Sequence, residues 1–205
     1  MIQLMIAIPT AGMVSMDFAY SLINLIGYVA QNPPPFEFGM RVATATGSNW
    51  IENRERLAQR AIDEGYTHIM FIDDDMVFAP SVMQTLLDRK KPIVLTNYLV
   101  KTTPADTFTA IALDGERVRT TEESKGLEKV AASGFGVSII ATEVFKSLPQ
   151  PWFLPTWSRE IGYSTEDVPF FRRAREAGFD VWLDHDASKH IAHQGRKQWF
   201  WKEAV

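Results

Sequence analysis

Cysteine is absent from the 205 residues. That removes disulfides, thiolate metal sites and thiol nucleophiles together, and it leaves the compartment open. An excess of basic charge is also missing. Against 21 Lys+Arg stand 25 Asp+Glu, a net −4, so no global positive field draws the chain to nucleic acid. No apolar run approaches the length of a membrane span. Met1 to Ile8 is apolar but has no basic flank and leads straight into Pro9-Thr10-Ala11-Gly12, which reads as a buried first strand rather than a signal peptide. Internal repeats and low-complexity linkers are lacking too. The expectation is a soluble, cytoplasmic chain of one domain, long enough to bury a sizeable core.

What is present alternates. Ile2 to Ile8 has the near-continuous hydrophobicity of a strand buried on both faces. Asp17 to Ala30 carries Phe18, Leu22, Leu25, Ile26 and Val29 at helical spacing, and Phe38 to Ala45 reads as a second strand. Asn49 to Gly65 is the clearest helix, with Gly65 suited to its C-terminal end. His68 to Ile72 is a short apolar strand, Pro80 to Arg89 a helix, and Pro92 to Tyr98 a strand. Residues 104–129 are polar and irregular. Ser133 to Ala141 is a glycine-bearing strand, Thr142 to Ser147 a short helix, and Gln150 to Ser164 a loop rich in Pro and Trp. Glu166 to Gly178 is a helix and Asp180 to Leu183 a strand. Strands alternating with helices predict an α/β fold with a largely parallel sheet.

Asp73-Asp74-Asp75 follows the buried run His68 to Ile72 directly. Three adjacent carboxylates repel one another unless cations or solvent relieve them. The sheet delivers them to the C-terminal edge of a strand, where open α/β sheets place ligands. Extended backbone would turn Asp73 and Asp75 to one side and Asp74 to the other. Two converging carboxylates suit a hard cation, Mg²⁺ or Mn²⁺, which completes its shell with phosphate oxygens. The competing reading is a solvated acidic turn before the helix at Pro80.

Phe71-Ile72-Asp73-Asp74-Asp75-Met76 resembles the DxD motif of GT-A glycosyltransferases. Ala7-Ile8-Pro9-Thr10 resembles that family's first strand and nucleotide-contacting loop. Asn53-Arg54-Glu55 sits where relatives carry an Ala-Arg-Asn stretch, and departs from its order. Ser133-Gly134-Phe135-Gly136 is similar to the glycine-rich strand on the acceptor side, Glu166-Asp167-Val168 to the Glu-Asp motif, and His193-Gln194-Gly195 to the late His-x-Gly. Each is weak alone. Their order along nearly the whole chain is what carries the resemblance.

The resemblance implies a single Rossmann-like GT-A domain over residues 1–205. Residues 1–100 would form the nucleotide-sugar-binding half, 101–195 the acceptor-side half and 196–205 a basic-aromatic tail. It implies Asp73 near the ribose and diphosphate, Asp75 as direct metal ligand, and His193 as a further ligand. Asp167 becomes the favoured base and Glu166 a binder of acceptor or donor sugar. A helix-capping role competes for that pair, with Ser164 or Thr165 as the alternative cap. Pro9, Thr10, Arg54 and Lys101 are candidates for contacting the nucleotide diphosphate, the two cations through charge-assisted bonds. Trp152, Phe153 and Trp157 read either as an acceptor platform or as a core plug.

The leading reading is therefore an inverting, metal-dependent transfer of a sugar from a nucleotide-diphosphate donor to a hydroxyl acceptor. The acceptor could be a glycan, a small molecule or a modified nucleobase in DNA. Nucleotidyl transfer fits less well, because Pro9-Thr10-Ala11-Gly12-Met13 has no basic residue. A metal-dependent hydrolase on Asp184, His185, His190 and His193, or a non-catalytic nucleotide-sugar-binding protein, are the alternatives. The tail with Arg196, Lys197, Trp199, Phe200, Trp201 and Lys202 is expected to close over the donor, to meet a polyanion or membrane surface, or to fold back on the core.

Overall fold

The computed structural model describes residues 1–101, 107–159, 162–195, 198–200 and 202. Its elements alternate much as the periodicity predicts. Strand β1 (Ile2–Thr10) leads to helix α1 (Met16–Gln31), β2 (Phe38–Thr46), helix α2 (Trp50–Asp63) and β3 (His68–Ile72). A short β4 (Met76–Phe78), α3 (Val82–Asp88), β5 (Ile93–Leu95) and β6 (Leu127–Lys129) follow. Then come β7 (Val137–Ala141), α4 (Thr142–Lys146), and a two-stranded ribbon, β8 (Thr156–Ser158) with β9 (Gly162–Ser164). Helix α5 (Asp167–Glu176), β10 (Trp182–Asp184), α6 (His185–Ser188), β11 (Ile191–Gln194) and β12 (Gln198–Phe200) complete the order.

Seven strands form the central sheet in the order β2-β1-β3-β7-β5-β10-β6. Five of them point the same way; β7 and β6 oppose their neighbours. The sheet is thus mostly parallel, with β7 inserted against the grain between β3 and β5. Side chains alternate across it as a strand requires. Met5, Ala7, Ile69 and Phe71 face a core shared with Leu57, Ala58 and Ala61 of α2 and Phe170 of α5. Leu4, Ile6, Ile8, Met70 and Ile72 face the other, shared with Phe18 and Leu25 of α1 and Met83 of α3. Both faces are covered, which is why these strands read as unbroken apolar runs.

Within the first core Phe71, Phe135, Phe145, Phe153, Phe170 and Phe171 pack ring to ring, with centroids 4.9–6.4 Å apart. Trp152 and Phe153 belong to this cluster, so the core reading holds for them. Trp157, on the ribbon, is exposed. The stretch read as a continuous loop from Gln150 to Ser164 therefore contains a hairpin, too short to show an alternating pattern.

A second, three-stranded sheet, β12-β11-β4, caps the end of the molecule where the aspartates emerge. Its register sets His193 opposite Met76 and Ala192 opposite Phe200. The backbone of Gln198–Phe200 is thereby a strand beside β11. Arg196, Lys197 and Trp201 of the expected tail lie outside the described residues. Among the described residues no helix is long and apolar enough to cross a membrane.

Candidate active site at the carboxyl edge of the sheet

Strand β3 stops at Ile72 because the next residues make a turn. Asp73 N–H donates to Gly136 O at 2.9 Å, and Met76 N–H donates back to Asp73 O at 3.1 Å. This turn corrects the expectation that Asp74 faces away. Alternation needs extended backbone, and here all three aspartates line one pocket of about 330 Å³. Pro9, Trp50, Arg54, Tyr98, Gly134 and Phe135 line it with them, as do Thr165, Glu166, Asp167 and His193.

Helix α2 supplies the organising residues. Asn49 caps it, its side chain accepting from Glu52 N–H at 3.3 Å. Three consecutive polar residues then diverge around the helix, about 100° apart. Asn53 donates to Thr10 O (3.2 Å) and Gly47 O (2.9 Å), tying down the ends of β1 and β2. Arg54 points into the pocket. Glu55 accepts from the backbone N–H groups of Trp152 and Phe153 at 3.0–3.2 Å, seating the aromatic plug. The departure from the family's Ala-Arg-Asn order thus has a physical content here, with all three side chains engaged.

Arg54 is buried and forks between two carboxylates, Nη1 to Glu166 Oε1 and Nη2 to Asp73 Oδ1, each at 2.6 Å. Its guanidinium lies 5.2 Å over the Phe135 ring, and its Nε has no partner among the described residues. Burial opposes the charge, but Asp73 and Glu166 outweigh it and hold the guanidinium's pKa above its usual value. For both carboxyls the balance runs the other way. Burial pushes Asp73 and Glu166 up, and Arg54 only partly offsets it. Trp50 Nε1–H also reaches Glu166, at 3.4 Å.

On the far side of the turn, the pairing of β4 with β11 carries His193 to Asp75. Gln194 N–H donates to Asp75 O at 2.7 Å, locking the two strands at this point. His193 Nε2 stands 3.4 Å from Asp75 Oδ2. Its Nδ1 is 3.0 Å from Leu99 O; a carbonyl can only accept, so Nδ1 carries a proton and donates to it, leaving Nε2 as the ring nitrogen that faces the carboxylate. Lys101 reaches the same Oδ2. Burial works against the Asp75 carboxylate, yet the His193 and Lys101 contacts prevail and hold its carboxyl below the ordinary value.

The glycines of Ser133-Gly134-Phe135-Gly136 are explained by one neighbour. A Cβ at Gly134 would lie 2.0 Å from Tyr98 Oη, and one at Gly136 2.6 Å from Tyr98 Cζ. Only bare backbone lets the Tyr98 ring sit here, and Gly136 N–H donates to its hydroxyl at 3.0 Å. Burial, then the charge of Asp73, pushes the phenol well above its ordinary value. Tyr98 therefore keeps its O–H as a neutral donor beside the aspartates. Neither it nor Trp50 stands out in the sequence; the paired glycines were the signal available for Tyr98.

Asp167 opens α5. Its Oδ1 accepts from Thr165 Oγ1 at 2.5 Å and from Val168 N–H at 2.8 Å, while Oδ2 has no partner among the described residues. Glu166 occupies the cap position with no side-chain cap bond, so neither Ser164 nor Thr165 caps this helix. Of the expected nucleotide contacts, Pro9 and Arg54 line the pocket and Lys101 joins it through Asp75. Thr10 is buried below it, its hydroxyl accepting from Gly12 N–H to shape the loop.

The residues of the hydrolase alternative are dispersed. Asp184 caps α6 and pairs with Arg89 at 2.6 Å, His185 bonds Thr120 and Glu128, and His193 belongs to the pocket above. Among the described residues no three acidic or imidazole side chains are gathered for a cation. Asp75 and His193 form a pair, and Asp73 is engaged by Arg54.

The sequence matches no protein-family model and no curated protein. The fold does have solved counterparts. A197 from STIV aligns with a TM-score of 0.61 at 19% identity, over 98% of this chain and 94% of that one. S. aureus TarS 1–349 aligns at 0.51 and 11% identity, over 94% of this chain; the match spans 60% of that structure. The catalytic domain of Drosophila β1,4-galactosyltransferase 7, solved with xylobiose, aligns at 0.50 and 15% identity, over 94% of this chain and 71% of that one. At such identities the likeness is one of fold. The chain has the GT-A fold of glycosyltransferases.

Proposed function

We propose that this chain is a metal-dependent glycosyltransferase, moving a sugar from a nucleotide-diphosphate donor to a hydroxyl acceptor with inversion. The observation that carries the reading is the Arg54 fork. A buried cation binding Asp73 after β3 and Glu166 before α5 joins two acidic motifs, far apart in sequence, into one polar pocket. A purely structural ion pair has no need of the third and fourth acidic groups, Asp75 and Asp167, on the same cavity wall.

The donor set fits a hard divalent ion. Two ligands at about 2.1 Å, with an angle between square and tetrahedral, sit roughly 3.0–3.4 Å apart. The Nε2 to Oδ2 separation is 3.4 Å. Asp75 and His193 would hold Mn²⁺ or Mg²⁺, with Asp73 beside them, and the ion would neutralise charge gathering on the leaving diphosphate. The chain's own groups do the rest. Asp167 Oδ2 takes the acceptor proton as the hydroxyl oxygen bonds to the anomeric carbon and the carbon–oxygen bond to the diphosphate breaks. Arg54 fixes Glu166 as a hydrogen-bond acceptor for sugar hydroxyls, and Tyr98 O–H donates into the same space.

The test is donor turnover. Purified protein with Mn²⁺ and a panel of nucleotide sugars should release nucleoside diphosphate, faster with hydroxyl acceptors, among them glycans and duplex DNA bearing hydroxymethylated bases. Asp75→Ala should abolish metal-dependent stabilisation by the nucleoside diphosphate while leaving the fold intact. Stabilisation that persists in Asp75→Ala, or a full panel without turnover, would refute the proposal.

A further inference from the structure

The oxygen best suited to a metal already has a cation beside it. Lys101 Nζ and His193 Nε2 meet the same atom, Asp75 Oδ2, from different elements. The backbone just before Lys101 is held. Leu99 O receives the His193 ring, Leu99 bridges to Phe108, and Val100 N–H donates to Thr107 O at 2.8 Å. Lys101 follows this fixed point with a flexible four-carbon stem, and about a third of its side chain meets solvent. An ammonium and a divalent ion cannot share one carboxylate oxygen without strong repulsion.

We propose that Lys101 is a placeholder cation. It occupies Asp75 in the ligand-free protein and gives way to the divalent ion when a diphosphate is present to receive its ammonium. The inference rests on the metal reading of Asp75 and His193. Its consequence is a thermodynamic coupling. Metal alone must displace Lys101 into water, whereas metal with diphosphate moves the same charge onto phosphate oxygens. Each ligand therefore raises the affinity for the other by the same factor. The arrangement would also keep bare cations from filling the pocket before a donor arrives.

Isothermal titration calorimetry tests this on the intact chain. Mn²⁺ is titrated alone, and again with the tightest binder of UDP, GDP, ADP and dTDP at saturation, with the Mn²⁺–nucleotide complex formed in free solution measured separately. The wild type should bind Mn²⁺ at least about tenfold more tightly with the nucleotide present. Lys101→Met should bind Mn²⁺ alone about fivefold more tightly than wild type, the upper end for a part-exposed charge pair, and its nucleotide-induced gain should shrink by a similar factor. Lys101→Arg, which keeps the charge, should retain the coupling, and Asp75→Asn should abolish Mn²⁺ binding in every background. Equal Mn²⁺ affinity in wild type and Lys101→Met, with the Asp75→Asn loss intact, would overturn the placeholder and leave the metal site standing. Absence of Mn²⁺ binding in both would overturn the two readings together.

Discussion

Replacing Arg54 with methionine keeps most of the side-chain volume but deletes the charge that two carboxylates share. Asp73 and Glu166 each lose a 2.6 Å contact. Removing one partner of a buried pair costs about 3–5 kcal/mol. Protonation limits that cost, because carboxyls of ordinary pKa near 3.9 (Asp) and 4.3 (Glu) become neutral at pH 7 for about 4 kcal/mol each, and at pH 5 for about 1–1.5 kcal/mol each. In Arg54→Met the offset from the guanidinium is gone, so the folded-state pKa values of both groups, already raised by burial, climb further above their unfolded values. Stability is then fully retained below the unfolded values and lost as pH climbs through the folded ones. Urea denaturation should show a loss of about 3–5 kcal/mol at pH 8 that shrinks to roughly 1–2 kcal/mol at pH 5. The melting temperature at pH 8 should fall by about 6–20 °C. Adding Asp73→Asn and Glu166→Gln to Arg54→Met should recover most of the loss. A penalty under about 1 kcal/mol at pH 8, or one equal at both pH values, would show that water rather than Arg54 satisfies these carboxylates.

Three further outcomes are expected. Asp167→Asn should keep donor binding but lose transfer by about 10²–10⁴-fold; near-normal turnover would move the base to another group. Gly136→Ala sets a methyl 2.6 Å from Tyr98 Cζ and should cost about 1–3 kcal/mol, with partial rescue by Tyr98→Ala; an unchanged melting temperature would mean that the ring is free to shift. Burial depresses the pKa of His68 against the opposing pull of Glu143. Its contribution is intact above the unfolded value near 6.5 and is lost as pH falls below it, so wild-type stability should drop below that pH with a slope that His68→Gln removes.

Much of this architecture could be read from the residues, and the rest was hidden for identifiable reasons. His68–Ile72 was legible to its last residue because an apolar run meets three aspartates there, and α2 ends where Gly65 takes a φ of +77°. The direction of β7 was not legible, since a buried run looks the same in either sense. Strand β4 is three residues long and follows a turn, so its pairing with β11 left no periodic trace. That pairing is what places His193 beside Asp75, so the family resemblance named the pair while the residues alone could not bring it together. Arg54 was suspected of meeting phosphate. It also joins carboxylates from two other elements, contacts set by tertiary structure and not by helix pattern. Trp152 and Phe153 are set apart from Trp157 by the Glu55 contacts to their backbone and by ring packing in the core, tertiary contacts that no local rule supplies.

The union of β4 with β11 also bears on when the site comes into being. Asp75 leaves the ribosome early, but the strand that fixes its carbonyl through Gln194 N–H emerges only after more than half of the chain has followed. Synthesis runs from the amino end at about 5–20 residues per second, so the aspartate turn spends seconds without its partner strand, while β1, β2 and β3 can already associate. A nascent chain halted between residues 184 and 191 would have every strand of its large sheet and none of the Asp75–His193 pair. Competence for the cation should thus appear abruptly and late, in step with the closing of the small sheet rather than with the growth of the large one.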